Sequence, residues 1–255
     1  MKGTGKVYIV GAGPGDPELI TIKGRKLLEE ADVVIYTGSL INPDILKYTK
    51  KGAKLYDSSK MCLEEIVQRI VEAVEGGKMV VRLHDGDPSL YGAHRELVDE
   101  LERLGVECVV VPGVSSLQAA AACLKVELTL PGVSQTVIIT RPEGRTPVTE
   151  ADNMIELAKH RATMAIFLGV QRINEVVQKL IAGGYPEDTP AAVVYKASWP
   201  DQKVIRGKLS DISSKVEAEG IKSTAIILVG EAIEPKTYSK SKLYSKNFTH
   251  SFRRT

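Results

Sequence analysis

The chain has 255 residues, 43% of them hydrophobic and 26% charged, enough for two modest α/β domains or one large one. Its net charge of +2 hides an asymmetry. Residues 236–255 hold six Lys/Arg and no Asp/Glu, so the body before them carries 28 basic against 32 acidic residues, a net −4. An acidic body argues against a general nucleic-acid binder, and no apolar run approaches the roughly 20 residues of a membrane helix.

The N-terminal apolar stretch before Gly11 is about five residues, short of the roughly 7–15 of a secretory signal, and a cytoplasmic protein is expected. Cys62, Cys108 and Cys123 are widely spaced and form no CxxC pair. They read as small buried hydrophobes in a reduced compartment, with no metal site. The basic tail interleaves Tyr238, Tyr244, Phe248 and Phe252. It reads as a solvated terminus, as a clamp over an anionic ligand or partner subunit, or as an RNA-binding arm.

In chain order, Val7–Val10 is a buried-strand run ending in glycines. A helix follows over Thr21–Ala31, then strands at Val33–Tyr36 and Ala53–Tyr56. Leu63, Ile66, Val67, Ile70, Val71 and Val74 repeat at helical spacing and predict a helix over Leu63–Glu75. Met79–Leu83 is a strand, Ala93–Leu104 a helix stopped by Gly105, Val106–Val111 a strand and Ser115–Leu124 an alanine-rich helix. After a linker at 129–135 the alternation restarts. Strands are expected at Thr136–Thr140 and Thr163–Leu168, and helices at Ala151–Lys159 and Ile173–Ala182. Ala192–Tyr195 and Lys203–Gly207 read as paired strands around the turn Trp199-Pro200-Asp201. Asp211–Glu219 is a helix and Ala225–Val229 a last strand. Such alternation predicts two α/β domains, over 1–128 and 136–235, with a ligand cleft between them and the tail at 236–255. The first sheet is expected to be mainly parallel and the second mixed.

Three loops stand out. Gly11-Ala-Gly-Pro-Gly-Asp-Pro17 fails the dinucleotide fingerprint, because Asp16 takes the third glycine slot and Pro14 and Pro17 remove backbone donors. His84-Asp-Gly-Asp-Pro-Ser-Leu-Tyr-Gly92 and Pro112-Gly-Val-Ser-Ser116 also follow strands. In a parallel sheet all three leave by the same carboxyl edge. Glycines there let a ligand approach the backbone, and backbone groups with hydroxyls suit a neutral or zwitterionic adenosine compound.

GAGPGDPELIT and DGDPSLYG together resemble the S-adenosylmethionine loops of the tetrapyrrole, or class III, methyltransferase family. The likeness spans about residues 5–235. Thr136–Val148, ending TRPEGRTPV, and Val194–Asp201, VYKASWPD, resemble the C11-methylating branch, which acts on cobalt-precorrin-4 or, in the aerobic route, precorrin-4. Other relatives methylate diphthine or rRNA ribose. The resemblance implies the tetrapyrrole methylase fold, S-adenosylmethionine as cofactor with S-adenosylhomocysteine as product, an anionic tetrapyrrole substrate in cobalamin synthesis, and a homodimer. Carried over by position, the cofactor residues would be Pro14, Gly86, Asp87, Pro88, Tyr91, Ser115 and Ser116, with Leu168, Ala197, Ala225 and Ile226. Ala197 stands where relatives often have glycine. Thr37 replaces an aspartate that uroporphyrinogen methyltransferases are thought to use as a base.

Methyl transfer from a sulfonium to carbon needs positioning more than a nucleophilic side chain, and no Ser-His-Asp or Cys-His set is visible in the sequence. His84 and Asp85 are the candidates to help a proton leave or to shape their loop. A carboxylate-rich substrate calls for cations, and Arg141, Arg145 and Lys196 are the candidates. Arg82, inside a strand, reads instead as one half of a salt bridge. Arg145→Ala is expected to raise KM for the tetrapyrrole about ten-fold or more and to leave the affinity for S-adenosylmethionine within about two-fold of the parent. Steady-state kinetics with each substrate varied in turn checks this, and an equal loss for both would remove Arg145 from substrate recognition.

Overall fold

The computed structural model describes residues 5–144, 146–241, 245, 248, 249 and 251. Contacts divide the chain into two compact units. The first runs to Ala119 and also takes in Lys196–Gln202. The second holds Ala120–Tyr195 and the chain from Lys203 onward. The segment 129–135 lies inside the second unit. The expected alternation is present in both units, as a parallel sheet in the first and a mixed one in the second.

In the first unit, strands β1 (Val7–Gly11), β2 (Val33–Tyr36), β3 (Lys54–Asp57), β4 (Val80–His84) and β5 (Cys108–Val111) form one sheet in the order β3-β2-β4-β1-β5. Every pairing in it is parallel. Successive strand residues point to opposite faces, and both faces are apolar here. Val7, Ile9, Val33, Ile35 and Val80 pack with helices α2 (Leu63–Glu75) and α3 (His94–Arg103) through Ile66, Ile70, Val74, Leu97 and Leu101. Val10, Val34, Val81, Leu83 and Val111 pack with α1 (Ile22–Glu30) through Leu27 and Leu28, and with Ile41 and Ile45. Burial on both faces explains why β1, β2 and β4 read as near-continuous apolar runs rather than alternating ones.

Local chemistry sets the helix ends. The Thr21 hydroxyl accepts from the Gly24 N–H at the start of α1. Before α2 the Cys62 N–H donates to the Glu65 carboxylate, a capping contact. That position leaves Cys62 exposed, and Cys108 and Cys123 are only half-buried. The expectation of three buried cysteines is therefore corrected. A helix N-cap stands at the surface to serve the first turn's donors, whatever the residue.

Helix α4 (Ser116–Leu124) leads towards the second sheet, built from β6 (Val137–Thr140), β7 (Thr163–Ile166), β8 (Pro190–Tyr195), β9 (Lys203–Lys208) and β10 (Ala225–Val229) in the order β6-β7-β10-β8-β9. Only β6 and β7 pair in parallel; the other neighbours are antiparallel. Helices α5 (Met154–Ala158), α6 (Ile173–Ala182) and α7 (Ile212–Ala218) supply the core against β7, β8 and β10, with Met164, Ile166, Val176, Leu180, Val193, Ile212 and Ile227 fully buried. The helix expected over Ala151–Lys159 is shorter. A 3-10 turn at Glu150–Asp152 precedes it, and the Asn153 side chain accepts from the Ile155 N–H, so the α-helix begins only at Met154. Among the described residues no helix is long and apolar enough to cross a membrane.

Leu180 is fully buried in the core of the second unit. Leu180→Ala is expected to destabilise that unit by about 2–5 kcal/mol, seen as a lower urea midpoint. A change below about 0.5 kcal/mol would mean that the core does not close on α6.

Candidate active site

Strands β4, β1 and β5 are immediate parallel neighbours, so the loops that leave their carboxyl ends start side by side. Backbone contact joins them. Gly13 and Gly86 exchange hydrogen bonds, Gly86 N to Gly13 O at 2.9 Å and Gly13 N to Gly86 O at 3.2 Å, and the Ala12 N–H donates to the His84 carbonyl at 2.7 Å. A Cβ built on Gly113 would lie 2.1 Å from Gly86 O and 2.8 Å from Gly11 Cα, and one on Gly11 would lie 2.6 Å from Gly113 Cα. Those contacts admit no side chain, and Gly86 also has φ +57°. Asp87 ties the second loop to the third. One carboxylate oxygen accepts from the Gly113 N–H at 2.8 Å, and the other from the Ser89 N–H at 2.8 Å and the Ser89 hydroxyl. These bonds hold the Asp87 carboxyl below its usual range against the burial that opposes them.

Ser115 is buried, and its hydroxyl accepts from the Leu117 N–H at 3.3 Å at the start of α4. Ser116 is the first residue of that helix and is half-buried. Pro88 is buried beneath the second loop, while Tyr91 is exposed with φ +56°. The Pro88 carbonyl accepts from His94 Nδ1 at 2.8 Å.

Segment Lys196–Gln202 belongs to the same unit and holds the first loop. Trp199 Nε1 donates to the Pro14 carbonyl at 2.9 Å, the Asp16 N–H donates to the Ser198 hydroxyl at 2.9 Å, and Asn42 Nδ2 donates to the Gly15 carbonyl at 2.9 Å. Ala197 is buried within the segment. Sequence reasoning assigned Trp199 only to a turn and overlooked Ser198 and Asn42. The available signal was the two prolines, which leave the first loop short of donors of its own.

The polar cluster on the β4 face is unusual. Arg82 is 7% exposed. Its guanidinium donates to the Ile35 carbonyl at 3.3 Å and the Thr37 hydroxyl at 3.2 Å, with Nε unpartnered. No carboxylate pairs with it among the described residues, so the expected salt bridge gives way to hydrogen bonds. Burial lowers its pKa to about 10, partly offset by the charge of Asp85. His84 is 6% exposed with Nε2 unpartnered. Burial first, then the charges of Arg82 and His94, push it down to about 3. His84 is therefore a neutral ring inside the fold, which does not suit a group that must take up a proton. Asp85 differs. Its side chain is open to solvent, yet the protein crowded around it raises its carboxyl, opposed by its own backbone N–H and by Arg82. Of the two proton-transfer candidates it is the one a ligand can reach.

Of the remaining predicted residues, Leu168, Ala225, Ile226 and Arg141 lie in the second unit. Ala225 and Ile226 open β10, opposite Tyr195 and Val194 of β8. The register pairing Ile227 with Ile166 brings the end of β7 beside the start of β10, so Leu168, exposed at φ +54°, leaves the sheet at the Ala225 end. The Arg141 guanidinium donates to the carbonyls of Pro142, Thr146 and Pro147 at 3.3, 3.2 and 2.9 Å, folding its own loop around itself. Lys196, in the first unit, pairs with Asp201 at 2.6 Å and lies over the Trp199 ring. Arg145 and the tail residues Tyr244 and Phe252 lie outside the described residues.

The model of the tetrapyrrole (corrin/porphyrin) methylases matches residues 6–213. A cobalt-precorrin-4 C(11)-methyltransferase from Methanocaldococcus jannaschii is 62% identical over 255 residues, covering all of this chain and 98% of that protein. Among solved structures, a cobalamin biosynthetic enzyme, cobalt precorrin-4 methyltransferase, matches with a TM-score of 0.88 at 49% identity over 90% of this chain and 96% of that one. Uroporphyrin-III C-methyltransferase from Thermus thermophilus, in complex with S-adenosyl homocysteine, matches with a TM-score of 0.73 at 31% identity over 90% of this chain and 94% of that one.

A histidine held neutral by burial weakens the fold in acid. Its pKa is about 3 folded and 6.5 unfolded, so below pH 6.5 the unfolded chain takes up a proton that the folded chain refuses. Stability falls as pH drops from 6.5 towards 3, at up to about 1.4 kcal/mol per pH unit from this one group. Unfolding free energies from urea melts at pH 7 and pH 4 are expected to differ more for the parent than for His84→Gln, by about 2–3 kcal/mol. Identical differences would show that His84 titrates normally.

Proposed function

Because the chain belongs to the tetrapyrrole (corrin/porphyrin) methylases, we propose that it transfers a methyl group from S-adenosylmethionine to C11 of cobalt-precorrin-4 in cobalamin biosynthesis. The observation that carries this reading is the 62% identity along the whole chain to a cobalt-precorrin-4 C(11)-methyltransferase.

The residues fit the cofactor. Gly11, Gly86 and Gly113 leave no side chains where the three loops meet, so a ligand would meet backbone there. Ser115 and Ser116 stand at the N-terminus of the nine-residue α4, whose positive end favours a carboxylate such as that of the methionine moiety. Pro14, Asp87, Pro88, Tyr91 and Ala197 line the same loops in the first unit; Leu168, Ala225 and Ile226, at one end of the second unit's sheet, are cofactor residues by the resemblance alone. When bound, S-adenosylmethionine supplies a methyl group on a positively charged sulfur, so attack by a ring carbon needs no nucleophilic side chain.

The protein's own task is then to hold two ligands in line, a contribution that reaches roughly 7–11 kcal/mol in well-oriented systems. Asp87 performs part of it by locking the second and third loops together. His84 stays neutral and keeps a second charge away from Arg82. Asp85 is exposed and the protein around it raises its carboxyl, so it is the candidate to exchange a proton with the substrate. Lys196 and Arg145 would meet substrate carboxylates, and Arg141 would act through the loop it folds.

Incubation with methyl-labelled S-adenosylmethionine and cobalt-precorrin-4 is expected to place label at C11, with kcat/KM at least about ten-fold above that for metal-free precorrin-4. Preference for the metal-free ring would move the reading to the aerobic route. Label on RNA or diphthine but not on either ring would overturn it.

A further inference from the structure

The chain contains a single tryptophan, and it is bonded to the first glycine loop. We propose that Trp199 is the positioning residue of that loop: its indole fixes the Pro14–Gly15 backbone from the side, and its emission reports the state of the cofactor site. The proposal rests on the S-adenosylmethionine reading above.

The first loop cannot hold itself. Pro14 and Pro17 have no N–H to donate, and Gly13, at φ +83°, and Gly15 supply no side-chain contacts. Its exposed backbone groups are satisfied from outside. The Pro14 carbonyl accepts from Trp199, the Gly15 carbonyl from Asn42, and the Asp16 N–H donates to Ser198. Of these three, Trp199 also fills space. A Cβ on Gly15 would lie 2.0 Å from Trp199 Cδ1 and 2.3 Å from Nε1, so the ring occupies the volume that any other residue at 15 would claim. Ring and glycine are a matched pair, and the indole N–H sets the orientation of the Pro14 carbonyl.

The support behind the ring is stiff. Lys196 and Ser198 both have positive φ, at 45° and 69°, strain that persists only where the surroundings dictate it. Those surroundings are visible. The Trp199 N–H donates to the Lys196 carbonyl, the Gln202 N–H to the Trp199 carbonyl, and the Ser198 N–H to the Gln202 side chain. The Lys196 ammonium lies 5.0 Å from the indole centroid and is itself held by Asp201. A ligand that presses on Pro14 therefore acts directly on a ring whose only polar atom is bonded there.

The test uses the full-length protein and S-adenosylhomocysteine. Trp199→Phe keeps an aromatic ring and deletes the N–H. It is expected to weaken S-adenosylhomocysteine binding about 3- to 10-fold by calorimetry, and the kinetic loss falls on KM for S-adenosylmethionine rather than on kcat or on KM for the tetrapyrrole. In the parent, tryptophan emission is expected to change saturably with S-adenosylhomocysteine, with the Kd that calorimetry gives. Unchanged binding by a folded Trp199→Phe variant would overturn the proposal. Should that variant fail to fold, the parent decides: emission indifferent to a ligand that calorimetry sees bind also overturns it. If calorimetry shows no binding to the parent, the cofactor reading itself fails and takes this role with it.

Discussion

The rest of the first unit depends on three stretches of backbone passing each other without side chains between them. Neighbouring strands lie about 4.8 Å apart, so chains leaving β4, β1 and β5 at one edge have no room to diverge with ordinary residues. Gly11 and Gly113 remove the obstruction, Gly86 takes a φ of +57°, and the main chains then touch and bond. The result is a thin rim built of amides and carbonyls. A rim of that kind suits a ligand recognised by shape and hydrogen bonds, not by a clamp of opposite charge. Asp87 and Ser115 spend their polar atoms on the rim itself, which makes them determinants of its shape.

Behind the rim, one face of the parallel sheet changes character along its length. At Val80 and Ile35 it is apolar. Two residues further along β4 it carries Arg82, and two beyond that His84. A buried guanidinium without a carboxylate is costly, and here it stays charged because its pKa remains near 10. Its neighbour yields instead, and His84 gives up its proton. Thr37 offers Arg82 only a hydroxyl. The nearest influence of opposite sign is Asp85, out in solvent.

Much of the fold was legible because its elements obey local rules. The apolar spacing in Leu63–Glu75 and Ile173–Ala182 marks both helices to the residue, and the runs at Val33–Tyr36 and Ala225–Val229 mark both strands. Ala151–Lys159 misled because its apolar residues begin before its hydrogen bonding does, and Asn153 resets the start. Cys62 misled because capping position outranks residue type. The convergence of three loops followed from parallel order alone. What held the first loop did not. The partners of Pro14 and Asp16 stand 185 and 182 residues away, and no window of sequence shows such a pairing. Arg82 is the intermediate case: its place inside a strand was plain, but it read as half of a surface salt bridge, and only the fold shows it buried with Thr37 and Ile35 as its partners.

The seven residues Lys196–Gln202 are counted with a unit whose other members all precede Ala120. A ribosome reaches residue 119 with that unit's sheet complete in sequence but its first loop lacking two of its outside partners, because Ser198 and Trp199 have not yet been made. Nearly a third of the chain must be translated in the interval. A nascent chain in that interval carries all five strands of the first sheet but not the residues that bond Pro14 and Asp16. The same arithmetic bars a simple cut: a fragment ending at residue 119 would keep the glycines and lose the ring that steadies them.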